Sequence, residues 1–98
     1  MKLLQIISEI EFKTYQGMVK IVYKEDNTAK IGELVRALPG VTTVTLTTDL
    51  GKGRQVFKVK LISQKSGQEA FNALKNNAMS KYSTIVGVKV AEKTIEKI

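Results

Sequence analysis

Cysteine, histidine and tryptophan are missing from the 98 residues, and proline occurs once, at Pro39. Without cysteine there is no disulfide framework, no thiolate nucleophile, no zinc ribbon and no iron–sulfur cluster. Without histidine there is no imidazole base near neutral pH and no Ser-His-Asp triad. A metal would be left with an all-oxygen site for a hard cation. The sequence therefore assigns no catalytic residue, no cofactor and no metal ligand. Long apolar runs are missing too, since none approaches the roughly 20 residues of a membrane span. The opening Met1-Lys2-Leu3-Leu4-Gln5-Ile6-Ile7 has the start of a signal peptide, but the apolar stretch stops at Ser8-Glu9 and no small-residue cleavage site follows. A soluble cytoplasmic protein without a membrane partner is expected.

The remaining composition is that of one globular domain, 43% hydrophobic and 26% charged. Its charge is uneven. Residues 1–49 carry six basic and six acidic side chains, whereas residues 50–98 carry ten basic and three acidic ones and hold the whole net charge of +7. Between Lys52 and Lys89 the only acid is Glu69. Such a region attracts phosphate or other anions at long range, and it equally serves to keep a small protein soluble.

Periodicity alternates between strand and helix along the chain. In Met18–Lys24, Val19, Ile21 and Tyr23 alternate with Lys20, Val22 and Lys24, as in a strand. Asn27 suits an N-cap, and Ile31, Leu34, Val35 and Leu38 form one apolar stripe of a helix from about Thr28 to Leu38. Pro39-Gly40 closes it. Val41–Thr48 holds five threonines and reads as a strand, Asp49–Gly53 as a glycine-bearing turn, and Arg54–Ser63 as the returning strand of a hairpin. Ser66 caps a second helix from Gly67 to Lys81, whose inner stripe is Ala70, Phe71, Leu74, Ala78 and Tyr82. A last strand, Ile85–Ala91, puts Val86, Val88 and Val90 on one face.

Strand, helix, strand, strand, helix, strand predicts an α+β ferredoxin-like βαββαβ sandwich, an antiparallel four-stranded sheet with both helices on one face. Its expected core is Val19, Ile21, Ile31, Leu34, Leu38, Val44, Phe57, Val59, Phe71, Leu74 and Val88. The single domain divides into an N-terminal extension, 1–17, and the ferredoxin-like unit, 18–98. In residues 1–16, Leu3, Ile6, Ile7 and Ile10 fit a helix stripe, while Ile10 and Phe12 between Glu9, Glu11 and Lys13 fit a strand, and an extra strand is the favoured reading.

Leu38-Pro39-Gly40-Val41 followed by Val44 resembles the first helix-to-strand turn of small ferredoxin-like modules, among them the heavy-metal-associated and the ACT regulatory domains. The resemblance covers about residues 18–91 and implies the fold. The Cys-x-x-Cys of the metal carriers is absent, so their copper chemistry does not transfer, and no ligand residue of the ACT domains has a counterpart here. The run from Ile10 to Thr45 resembles short uncharacterised proteins of marine cyanophages, which implies host cytoplasm as the location.

Three features are candidate sites. Gly51-Lys52-Gly53-Arg54 combines glycines, which let backbone approach a phosphate, with two cations. It is not a P-loop, and a hairpin tip that requires positive φ and carries solvated charge is the ordinary reading. The outer sheet face would show Lys20, Thr43, Thr45, Lys58, Lys60 and Lys89 with apolar Val22, Val56, Ile62 and Ile85, if Phe57, Val59 and Val86 face the helices. That face suits a nucleic-acid backbone, although it lacks aromatics for stacking bases, and cover by residues 1–16 or a second subunit is the ordinary reading. The candidate anion contacts are thus Lys20, Lys52, Arg54, Lys58, Lys60 and Lys89. The carboxylate pairs Glu9/Glu11, Glu25/Asp26 and Glu92/Glu96 sit beside lysines and read as solvated charge, and Tyr15, Tyr23 and Tyr82 read as core or rim packing.

Three functions fit these residues. One is a non-enzymatic module that self-associates, through an edge strand or the open sheet face, or binds a protein partner. Thr42–Thr48, an edge in this fold, carries no Lys, Pro or visible bulge to guard it. Another is a nucleic-acid-binding accessory protein using basic residues 52–89. A third is a small ligand-sensing or enzymatic dimer.

Overall fold

The computed structural model describes residues 12–24 and 30–98. Six elements follow one another: β1 (Lys13–Tyr23), α1 (Ile31–Arg36), β2 (Val41–Gly51), β3 (Arg54–Ser63), α2 (Gly67–Lys81) and β4 (Ile85–Lys97). They make an α+β fold with one antiparallel sheet in the order β2-β3-β1-β4. No helix among the described residues is long and apolar enough to cross a membrane.

Strict alternation builds the centre. Tyr15, Gly17, Val19, Ile21 and Tyr23 of β1 are buried, as are Gln55, Phe57, Val59 and Leu61 of β3, while the residues between them are not. The buried side chains of both helices, Ile31 and Val35 of α1 and Ala70, Phe71, Leu74 and Ala78 of α2, join them in one cluster. Burying a side chain such as Phe71 contributes roughly 1.5–3 kcal/mol. Of the expected core, Leu34 and Val44 are only half-buried and pack at its margin.

α2 runs from Gly67 to Lys81 as its stripe requires, and the Ser66 hydroxyl accepts the backbone N–H of Glu69 at 3.3 Å. α1 starts at Ile31, the first residue of its stripe, and ends at Arg36, two before the expected Leu38; Lys30 before it makes no side-chain cap bond, and the expected start at Thr28 lies outside the described residues. Asn27 lies outside the described residues. Gly40 has φ of 80°, and a Cβ there would stand 2.9 Å from the Ile62 carbonyl, so the turn after α1 requires glycine. β1 begins at Lys13, ahead of the expected Met18. Of the extra strand expected in residues 1–16, Lys13–Gln16 form the start of β1 and residues 1–11 lie outside the described ones.

Bulges correct two readings. Tyr23 pairs with Ile85 and Val22 with Gly87, so Val86 is an extra residue and the alternation flips across it. Ile85 is therefore buried at 3% exposure and Val86 turns outward at 52%, the reverse of the expected placement. β2 is an edge strand as expected, but it is not unguarded: pairing with β3 skips Thr42, Thr47 and Leu50. The Thr42 hydroxyl donates to the Lys60 carbonyl at 3.2 Å and the Thr47 hydroxyl to the Val56 carbonyl at 3.0 Å, so each threonine bulge is fastened by its own side chain.

β4 extends beyond Ala91 to Lys97. Between the pairs Gln16–Glu96 and Met18–Ala91, Gly17 alone faces Glu92 through Ile95. The Thr94 hydroxyl holds this excursion, accepting the Met18 N–H at 2.9 Å and donating to the Ala91 carbonyl at 2.6 Å. Ile95 is half-buried against the core.

Candidate functional site

The side of the sheet away from the helix core is built from the alternate residues of β1 and β3. Register places them in rows across the strands. Lys60, Gln16 and Glu96 form one row, Lys58, Met18 and Ala91 the next, then Val56, Lys20 and Lys89, then Arg54, Val22 and Gly87. Thr43 extends the first row and Thr45 the second. Neighbouring strands lie about 4.8 Å apart and alternate residues about 6.8 Å along a strand, so the five cations Lys20, Arg54, Lys58, Lys60 and Lys89 occupy one continuous patch.

Five of the six basic residues singled out from the sequence thus share a surface with Thr43, Thr45, Val22, Val56 and Ile62. Ile85 does not belong there; it lies in the core for the reason given above. Lys20 stands directly opposite Lys89. Like charges in that relation destabilise a sheet. Among the described residues none of the five forms an ion pair. The acid within the rows, Glu96, accepts a hydrogen bond from the Gln16 side-chain amide at 2.8 Å.

Lys52, the sixth, is at the tip of the β2–β3 hairpin. Lys52 and Gly53 both have positive φ, 53° and 74°, between the paired Gly51 and Arg54. This is the two-residue turn whose twist matches the strands. Gly53 is buried, and its carbonyl accepts the Tyr23 N–H at 2.8 Å. Its geometry is that of a hairpin connection docked on β1 through Gly53, with Lys52 and Arg54 exposed. Glu92 accepts from the Gln68 amide at 3.4 Å, and the Glu92/Glu96 pair lies on a strand, not a helix. Glu9/Glu11 and Glu25/Asp26 lie outside the described residues. Tyr15 and Tyr23 are core residues and Tyr82 packs at the core margin.

A groove of about 400 Å³ between α1 and the β2–β3 hairpin has no counterpart in the sequence reading. Its floor is Val44, Leu46 and Phe57, and its walls carry Glu33, Arg36 and Gln55. Gln55 was the available signal, since it occupies a core-facing position in the alternation Gln55-Phe57-Val59-Leu61 and is 5% exposed. Its amide donates to the Asp49 carboxylate at 3.4 Å, which is long for such a bond. Neither a known protein family nor a curated protein matches this chain.

Proposed function

We propose that the chain is a nucleic-acid-binding accessory module that holds phosphates along the open face of a ferredoxin-like sheet. The fold reading rests on the strand order β2-β3-β1-β4, which places the first and third strands at the centre of a βαββαβ chain. The observation that carries the function is the patch itself: Lys20, Arg54, Lys58, Lys60 and Lys89 on one surface, with Lys20 opposite Lys89. A face that served only solubility would gain from interspersed signs.

Self-association is the second reading, and it is favoured by the exposed Leu46, Leu50 and Val86 near the sheet edges, at 49%, 43% and 52% exposure. Two features weigh against it. Both edge strands carry bulges, which interrupt the ladder a second copy would extend. Pairing two open faces would set five cations against five.

Fluorescence anisotropy with a labelled oligonucleotide across a salt series tests the proposal. If all five cations contact phosphates, the log–log slope on a single strand is about −3.5, at roughly −0.7 per contact. Lys58→Glu with Lys60→Glu then weakens binding sharply and flattens the slope. Absence of binding to DNA and RNA at low salt refutes the proposal.

A further inference from the structure

Resting on that reading, we infer that the preferred partner is single-stranded nucleic acid, with Phe12 as the platform on which one base stacks at the end of the basic face. Phe12 immediately precedes β1 and is 64% exposed, the most exposed of the large hydrophobic side chains described. It stands two residues before Thr14, and continuing by one step the alternation that puts Thr14, Gln16 and Met18 on the open face carries it to the same side. Thr14 is paired with Ile62 of β3, which is 41% exposed. On its other side the Ile98 N–H donates to the Thr14 carbonyl at 2.8 Å, and Ile98 is 59% exposed. Phe12, Ile62 and Ile98 therefore gather at one end of the sheet, and the row of Gln16, Lys60 and Glu96 comes next.

An exposed phenyl ring at the end of a face that carries five cations, the nearest of them Lys60, is the pairing that single strands require. Cations follow the backbone while the ring accepts the face of any base, so the site is tolerant of sequence. A duplex keeps its bases stacked and offers Phe12 nothing. The distance from Phe12 to the level of Lys20 is eight residues, about 26 Å of strand, which suits an extended chain laid along β1. An anionic membrane would also meet basic and apolar groups. Three apolar side chains at one end, with the charge spread over the rest of the surface, do not form the broad apolar face that interfacial binding uses.

The test compares oligothymidylate, a duplex of the same length and anionic phosphatidylserine vesicles, each with the full chain and with Phe12→Ala and Phe12→Trp. Wild type is expected to bind the single strand more tightly than the duplex. Phe12→Ala is expected to weaken single-strand binding about 5- to 150-fold, the stacking share of one base, with the salt slope and duplex affinity unchanged. Phe12→Trp is expected to retain it. Because Phe12 is exposed, the thermal transition of each variant should match that of wild type, which separates loss of stacking from loss of fold. If the single strand binds equally well without the ring, or the duplex binds better, the inference falls while the polyanion reading stands. If no nucleic acid binds and the vesicles do, both fall in favour of a membrane surface.

Discussion

Gly17 and Gly87 form a matched pair on which the packing argument can be tested. Both lie inside strands, neither has the positive φ that would demand glycine, and they sit on opposite sides of the sheet. A Cβ on Gly17 would stand 3.0 Å from Phe71 Cζ and 3.2 Å from Ile95 Cγ1. Phe71 is fully buried, so the ring has nowhere to retreat. A Cβ on Gly87 would meet the Val22 side chain at 3.5 Å, an ordinary contact. Where the space exists, replacing glycine by alanine stabilises by about 0.4–1 kcal/mol, because the unfolded chain loses freedom. Overpacking a filled core costs about 1–3 kcal/mol. Gly87→Ala should therefore raise stability, and Gly17→Ala should lower it despite the same entropic gain. The shared entropic gain cancels between the two variants, so the overpacking cost alone separates them, and at about 4–8 °C per kcal/mol for a chain of this size the two melting temperatures should part by roughly 4–24 °C. Urea denaturation gives the free energies, with an unchanged m-value showing that two-state behaviour survives. Adding Phe71→Leu to Gly17→Ala removes the far end of the ring, so the pair should be less unstable than the sum of the single changes. Equal effects of the two alanines, or strict additivity with Phe71→Leu, would refute the close packing of Gly17 against α2.

Two further outcomes follow from the hairpin tip and the like-charge pair. Lys52 holds φ of 53°, a region that costs a residue with a Cβ about 1–2 kcal/mol and that asparagine tolerates better, so Lys52→Asn should stabilise measurably in urea. Lys89→Gln removes one of two charges facing each other across β1 and β4, and should stabilise by roughly 0.2–1 kcal/mol at low salt, with the gain fading in melts at high ionic strength.

The sequence marks elements well where a local interaction defines them. Ser66 and Glu69 bracket the first turn of α2, and the stripe from Ala70 to Ala78 has one period, so both ends of that helix were legible. β3 was legible because two glycines precede it and its alternation is unbroken. Extra residues in a strand leave no such mark. Val86 lies within a run of valines, and nothing in its chemistry says that the alternation flips there; only the pairing of Tyr23 with Ile85 does. The bulges in β2 fall within threonine doublets, Thr42-Thr43 and Thr47-Thr48, and the reason is visible only in three dimensions, where each hydroxyl reaches a β3 carbonyl. The cationic face was legible because the middle of β1 pairs with β3 and β4 without interruption. Phe12 was not, since before the start of β1 was known it read as part of a separate segment with Ile10.

The same irregularities bear on what this sheet can bind. An edge strand of eleven residues rich in threonine would ordinarily invite another strand. Three interruptions in its ladder break the regular spacing of donors and acceptors that a partner would need. On the opposite edge, Val86 and the excursion from Glu92 to Ile95 break β4 at two places. The open face is protected by another means, because mutual repulsion of its cations opposes stacking against a second copy while drawing in anions. That repulsion lowers the stability of the folded state, and it weakens as salt shortens the Debye length from about 30 Å to about 8 Å. An anion bound only by the folded chain acts in the same direction and further, by about 2.7 kcal/mol at a hundredfold excess over its dissociation constant. On the proposed function, stability and binding are linked through one set of side chains: changes that relieve the folded sheet, such as loss of Lys89, are the changes expected to reduce its attraction for phosphate.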